Sequence, residues 1–363
     1  MQVVDLDALQ AAGIADAHDR AGLIAYLDSL GFTAEDMVEA ERRGRLFGLA
    51  GDVLQWSGPP TVTLRAAAER LGVSLADLTH AWQALGLRAA DPDVPALSSA
   101  DVDALQSWRT ISAVTGPGAA LNFLRIIGAT MARLAEASGS MIRLAQPDLL
   151  MTHTHDELTT ARAYRAVAEL VPGISALMDS VWRHHITSAR AYFENVIHDS
   201  SAVVTCGVGF ADLSGFTVLT QRLSPTELSE LLVEFSGAVS DVVHGDGGRV
   251  VKFIGDEVMW VNSDPEQLLQ AATDLIDYPR ARESGLGVRA GLGYGLVLAL
   301  GGDYFGTPVN LAARLVSAAA PGQILAAGDV VDALPGHPAT PLEPLTLKGF
   351  EGPVTAYDLH PGS

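Results

Sequence analysis

The sequence contains one cysteine, Cys206, in 363 residues. That excludes any intrachain disulfide, sets aside the stapled secreted domains and points to a reducing, cytoplasmic setting. Lysine is nearly as scarce, with only Lys252 and Lys348 beside 21 arginines. Cations as a class are short: 23 basic against 43 acidic side chains give a formal net charge of −20. Both halves share the deficit, −9 over residues 1–200 and −11 over residues 201–363. A chain so acidic is poorly suited to non-specific nucleic-acid binding or to docking on anionic lipid. A polyphosphate substrate would need metal ions and a few well-placed cations. Long apolar runs are missing too: "AGLGYGLVLALGG" (290–302) is too short and too Gly-rich to span a bilayer. The opening "MQVVDLDALQ" places acids where a signal peptide carries a basic region. No His, Cys and Asp spacing has the form of a zinc site.

What is present, 48% hydrophobic and 18% charged residues, is the composition of a compact fold with length for two domains. Residues 1–175 read as an all-α domain, because "RAGLIAYLDSLGF" and "AEDMVEAERRGRLFGLAGDVL" repeat apolar positions every three or four residues. No strand-like alternation of any length is visible there. Residues 63–87 have the form of a helix-turn-helix, with Gly72 at the turn and Ser74 capping the second helix. That second helix carries Asp77 and His80 and no base before Arg88, whereas a DNA reader needs cations. A plain helical hairpin is the expectation. Residues 176–200 read as a linker helix with Met178, Trp182, His185, Ala189, Tyr192 and Val196 in one stripe, a weak coiled-coil pattern.

From residue 201 strands and helices alternate, and their order fits a mostly antiparallel sheet with helices on one face. "RVVKFIGDEVMWV" predicts a hairpin with Gly255 and Asp256 at the tip, followed by a helix over 264–278, two strands within 286–300 and a helix over 307–319. Asp212 ends the first strand, so it and Asp256 arrive at the same sheet edge. Two carboxylates together make a hard-oxygen site for Mg²⁺ or Mn²⁺. Leu213, Ser214, Gly215 and Phe216 then offer backbone N–H groups near a helix start, suited to terminal phosphates. Lys252 shares a strand face with Val250 and Ile254, where a charge is costly unless an anion or strong acceptor meets it. Asn310 and Arg314, four apart, lie on one helix face, the arginine projecting into a cleft or interface.

"FADLSGF" (210–216), "KFIGDEVM" (252–259), "GDYFGTPVNLAARL" (302–315) and "LTLKGF" (345–350) together resemble the ordered motif set of the class III nucleotidyl cyclases. The resemblance covers residues from about 201 to 360 and implies that residues 201–363 form an α/β (α+β) catalytic domain with a ferredoxin-like core. The first half resembles, more loosely, the helical regulatory domains of soluble actinobacterial members. By position, the resemblance implies that Asp212 and Asp256 hold two divalent metal ions on the triphosphate of ATP. Lys252 and Asp303 match the base-selecting pair, the ammonium donating to adenine N1 and the carboxylate accepting from the N6 amine. Guanine inverts both contacts, so ATP is the expected substrate and cyclic AMP the product. Asn310 would orient the ribose, Arg314 would meet the α-phosphate, and Lys348 would reach the terminal phosphates. A compact ammonium suits both lysine positions better than a planar guanidinium fork. The resemblance further implies a homodimer whose sites take metal aspartates from one subunit and the other groups from its partner.

Two regulatory ideas follow from the first half. His184 and His185 would form a proton switch if linker helices pair in parallel. A lipid or other small apolar effector between the helices is the second. Two rival functions remain open: a diguanylate-type cyclase, against which the Asn310–Arg314 helix argues, and a transcription regulator using residues 63–87 with a nucleotide-sensing second half.

Overall fold

The computed structural model describes residues 5–88, 91–194, 202–277 and 287–360. The chain divides into two compact units, Met1–Arg183 and His184–Ser363. Val196 of the linker stripe lies outside the described residues.

The first unit is built of α1 (Leu6–Ala11), α2 (Ala21–Ser29), α3 (Ala34–Arg42), α4 (Leu49–Gln55), α5 (Leu64–Leu71), α6 (Leu75–Ala84), α7 (Ser99–Thr115), α8 (Pro117–Ala145), α9 (Met151–Thr154), α10 (Glu157–Ala168) and α11 (Val171–Glu194), the last running past the unit boundary. Side-chain caps fix several starts: Thr33 with Asp36 and Ser98 with Asp101 close reciprocal capping boxes. The unit is not purely helical, since β1 (Val62–Thr63) and β2 (Pro95–Leu97) pair antiparallel. Two-residue contacts of this kind are too short to leave an alternating pattern in the sequence. Arg20 ties the unit together, donating to Glu41 at 2.7 Å and to Glu157 at 2.6 Å.

The expected helical hairpin is α5 and α6. Gly72 ends α5 in the left-handed conformation (φ 63°), and Ser74 accepts from Asp77 N–H to start α6. Helix α8 crosses the end of α6 so closely that a Cβ on Gly128 would stand 2.6 Å from the Leu85 carbonyl oxygen. Asp77 and His80 are exposed on α6. Among the described residues no helix is long and apolar enough to cross a membrane.

The second unit consists of β3 (Val203–Ser214), α12 (Phe216–Thr220), α13 (Pro225–Gly245), β4 (Arg249–Ile254), β5 (Glu257–Asn262), α14 (Pro265–Ile276), β6 (Gly287–Leu300), β7 (Asp303–Phe305), α15 (Thr307–Ala318), β8 (Ile324–Ala327), α16 (Gly328–Asp332), β9 (Thr340–Pro341) and β10 (Ala356–Asp358). The sheet order is β4-β5-β3-β6-β8-β10-β9, with β7 paired to β6, and among the described residues only the β6–β8 pair is parallel. Ser224 caps α13 in a capping box with Glu227, Pro225 sitting in the first turn. Two corrections to the sequence expectation matter here. Residues 287–300 form one strand rather than two, because the pairing with β3 continues in register through Gly295 (φ 140°). Strand β3 also runs two residues past Asp212.

Strand alternation sorts the core into two layers. Ala211, Val258, Trp260, Ala290 and Leu292 face α13 and α14 in one cluster. Val204, Cys206, Val208, Phe210, Met259 and Val261 face the other way, against Tyr304 and Val309, Ala312 and Val316 of α15. Helix α15 can lie this close only because β6 offers glycine beneath it. A Cβ on Gly291 would be 2.3 Å from the Ala312 oxygen, and one on Gly293 would be 2.4 Å from the Pro308 oxygen. The chemistry sits on this second face.

Candidate active site

Asp212 lies on β3 directly between Glu257 of β5 and Arg289 of β6 in the strand register. Opposite residues in antiparallel strands project to the same side, so an acid, an acid and a guanidinium share one row. Arg289 donates to Asp212 Oδ2 from Nε at 2.9 Å and from Nη2 at 2.5 Å. Its Nη1 donates to the carbonyl oxygens of Ser317 and Ala319 at the end of α15, each at 3.3 Å. The guanidinium thereby locks the metal-ligand candidate to the helix that carries Asn310 and Arg314.

Asp256 occupies the β4–β5 turn and points its carboxyl at Asp212. Burial, then the charge and hydrogen bond of Asp212, push its pKa up to about 6, against the pull of its own backbone N–H and of Arg289. Glu257 is also pushed up, first by burial and then by the negative fields of Asp212 and Asp256, with Arg289 and Arg314 opposing. Three carboxyls around one guanidinium leave surplus negative charge, and the donors are all oxygen, which suits a hard divalent cation. Among the described residues no three or more His, Cys, Asp or Glu side chains form a ready cage. A two-carboxylate site completed by substrate phosphates is the form Mg²⁺ commonly takes.

The structure also brings Lys252 and Asp303 together. Lys252 Nζ donates to Asp303 Oδ2, with both side chains about one-third exposed. Here strand alternation misleads, because Lys252 does not share a face with Val250. The register slips between Val250, opposite Trp260, and Lys252, opposite Met259, so Val251 is an extra residue in a bulge. Val250 packs with the first core cluster, while Lys252 emerges on the same face as Met259.

Asn310 and Arg314 are both exposed on α15, away from buried Val309, Ala312 and Val316. In the segment after Asp212, Leu213 is buried and Phe216 packs against the same core. Gly215 takes φ 88° at the start of α12, and Ser214 Oγ is buried without a hydrogen-bond partner. Lys348 is exposed on the turn after buried Leu347. His184 and His185 are exposed on α11.

Sequence reasoning passes over Arg289. The signal that singles out Lys252, a lone charge in an apolar strand, is equally present in "GVRAGLG". Its partner is set by cross-strand register, which no local pattern reveals.

Residues 199–361 match the adenylate and guanylate cyclase catalytic domain, and residues 4–189 match the adenylate cyclase regulatory domain. An uncharacterised protein of Mycobacterium tuberculosis (strain H37Rv) is 65% identical over 98% of this chain and 94% of its own length. An adenylate cyclase of Streptomyces griseus is 33% identical over 76% of this chain and 69% of its length. A pH-sensitive adenylate cyclase of M. tuberculosis (strain CDC 1551) is 28% identical over 95% and 89%. With the acid row, the Lys252–Asp303 pair and the Asn310–Arg314 helix on one sheet face, these matches establish that the chain belongs to the class III nucleotidyl cyclases, with an adenylate cyclase regulatory domain preceding the catalytic one.

Proposed function

We propose that the protein is an adenylyl cyclase that converts ATP to 3′,5′-cyclic AMP and pyrophosphate. The observation that carries this reading is the Lys252–Asp303 pair. A donor beside an acceptor matches adenine N1 and the N6 amine, whereas guanine presents a donor at N1 and an acceptor at O6. A guanine there would leave polar groups unpaired at roughly 1–3 kcal/mol each. Asp212 and Asp256 would hold two divalent ions, which supply Lewis acidity toward the ribose 3′-hydroxyl and the triphosphate when bound. Asn310 orients the ribose, Arg314 meets charge developing on the α-phosphate, and Lys348 reaches the terminal phosphates. The main chain from Leu213 to Phe216, with Ser214 and Gly215 at its centre, cradles phosphate oxygens. The purified chain with Mn²⁺ and ATP should form cyclic AMP, and Asp256→Ala should reduce this to background. Lys252→Ala and Asp303→Ala should each lower kcat/KM for ATP by about 10–100-fold. Equal use of ATP and GTP by the wild type would refute the base assignment.

We read the working form as a homodimer with shared sites. Beyond the cover of α13 and α14, Leu296, Leu298, Leu300 and Phe305 form an exposed apolar patch, with Leu298 directly opposite Phe305. Such a patch supports burial against a second copy. One observation favours a second reading in which Arg314 acts within its own chain: its charge is felt at Glu257 of the same chain.

Control through the linker helix α11 is read as proton-responsive, through the exposed His184 and His185, in keeping with the name of one relative. Changing both to Ala should flatten the activity profile between pH 5.5 and 8, and an unaltered profile removes these residues from the switch. The apolar-effector idea finds less support. A hollow of about 520 Å³ between α6, α7 and α8 is lined by Asp77, His80 and Arg109 as well as Val73, Trp108 and Leu121.

A further inference from the structure

The bulge in β4 has a second effect. In a regular strand, residues three apart point to opposite faces. The extra residue Val251 removes that offset, so Arg249, opposite Val261, and Lys252, opposite Met259, emerge on the same face. Both meet β7 there. Arg249 Nη2 donates to the Tyr304 hydroxyl at 3.1 Å, and Lys252 Nζ donates to Asp303 Oδ2. The two rungs share a backbone link, because the Tyr304 N–H donates to Asp303 Oδ1 at 2.9 Å. Tyr304 is 5% exposed and its ring is packed among Val204, Val297 and Val309. One end of the double rung is therefore anchored in the core, and the other carries the base-reading pair.

We propose that Arg249 and Tyr304 are positioning residues that fix the separation and orientation of Lys252 and Asp303, and so set the preference between purine bases. The inference rests on the reading of Lys252 and Asp303 as the base-selecting pair and deepens it. With the Tyr304 hydroxyl held by Arg249, β7 is tied by a side-chain bond to β4 as well as paired to β6, and Asp303 keeps one oxygen on the Tyr304 N–H. Its second oxygen meets Lys252. Without the Arg249 bond Tyr304 can shift, carrying with it the N–H that orients Asp303, and the carboxylate then accepts a different hydrogen-bond pattern. Discrimination then falls even though both selecting residues are intact.

The test measures kcat and KM for ATP and for GTP with Mn²⁺ in the full chain, beside thermal unfolding. Tyr304→Phe keeps the ring and removes the hydroxyl; Arg249→Met keeps the stem and removes the donors; Arg249→Lys keeps a charge and a donor. We expect the first two to lower the ATP/GTP ratio of kcat/KM by about 3–10-fold, mainly through KM for ATP. The double variant should be no worse than either single one, since both remove the same rung. Arg249→Lys should recover part of the ratio. Lys252→Gln provides the reference. Should Lys252→Gln lower the ratio while Tyr304→Phe and Arg249→Met leave it at the wild-type value, the rung is structural only and the inference is overturned. Should all three leave it unchanged, the base-reading assignment itself falls, and this inference with it.

Discussion

A one-to-one mixture of Asp256→Ala and Arg314→Ala chains, each inactive alone, is expected to regain about a quarter of wild-type turnover once subunits exchange. The figure follows from symmetry: about half of the dimers are mixed, and each mixed dimer has one doubly damaged and one intact site. Loss of the Arg314 guanidinium should cost roughly 10²–10³-fold in kcat, as removal of a group that stabilises developing charge commonly does. Recovery therefore stands far above the background of either parent. Cyclic AMP release, followed before and after mixing, reports it directly. If the mixture stays at the sum of its parts while wild type works, Arg314 serves the carboxylates of its own chain, as its influence on Glu257 would permit.

The second large effect concerns the acid row without metal. The Asp256 pKa is raised to about 6, from 3.8 for an unperturbed aspartate. A raised carboxyl favours the folded state fully below its unfolded pKa, and that contribution is lost as pH climbs through the folded value. Metal-free wild type should therefore lose stability relative to Asp256→Asn between about pH 4 and pH 6, where the two ionisations diverge. At pH 7.5 Asp256→Asn should melt at the higher temperature, because it removes a charge from beside Asp212. Millimolar Mn²⁺ should reverse the order by stabilising the wild type, through selective binding to the folded state. Thermal unfolding of both proteins at pH 4.5, 6 and 7.5, with and without Mn²⁺, decides the matter. Parallel pH profiles, or equal Mn²⁺ shifts in the two, would contradict the assignment of Asp256 as a crowded metal ligand.

Much of the fold and of the acid site is legible in local chemistry alone. The Ser224–Pro225 start of α13 and the Gly72–Ser74 junction of α5 and α6 sit where capping rules put them. The hairpin tipped by Gly255 and Asp256 also forms as its turn residues direct. What stays hidden depends on register. Alternation assigns Lys252 to the face of Val250, and a single bulged residue moves it to the other. Two strands are expected within 286–300, yet the pairing with β3 runs through Gly295 without a break. Arg289 needs β3 and β6 aligned before its claim on Asp212 can be seen. Patterns with a period of two or four are written locally; partners some 77 residues away are not.

The mutual grip of Lys252 and Asp303 carries a consequence for how nucleotides compete. Lys252 and Asp303 hold each other in an ion pair in which each side chain is about one-third exposed. If a base is read here as proposed, its entry parts those charges, and only a base that re-satisfies both at once makes good the loss. On the proposed reading, discrimination against the wrong purine therefore begins at this pair.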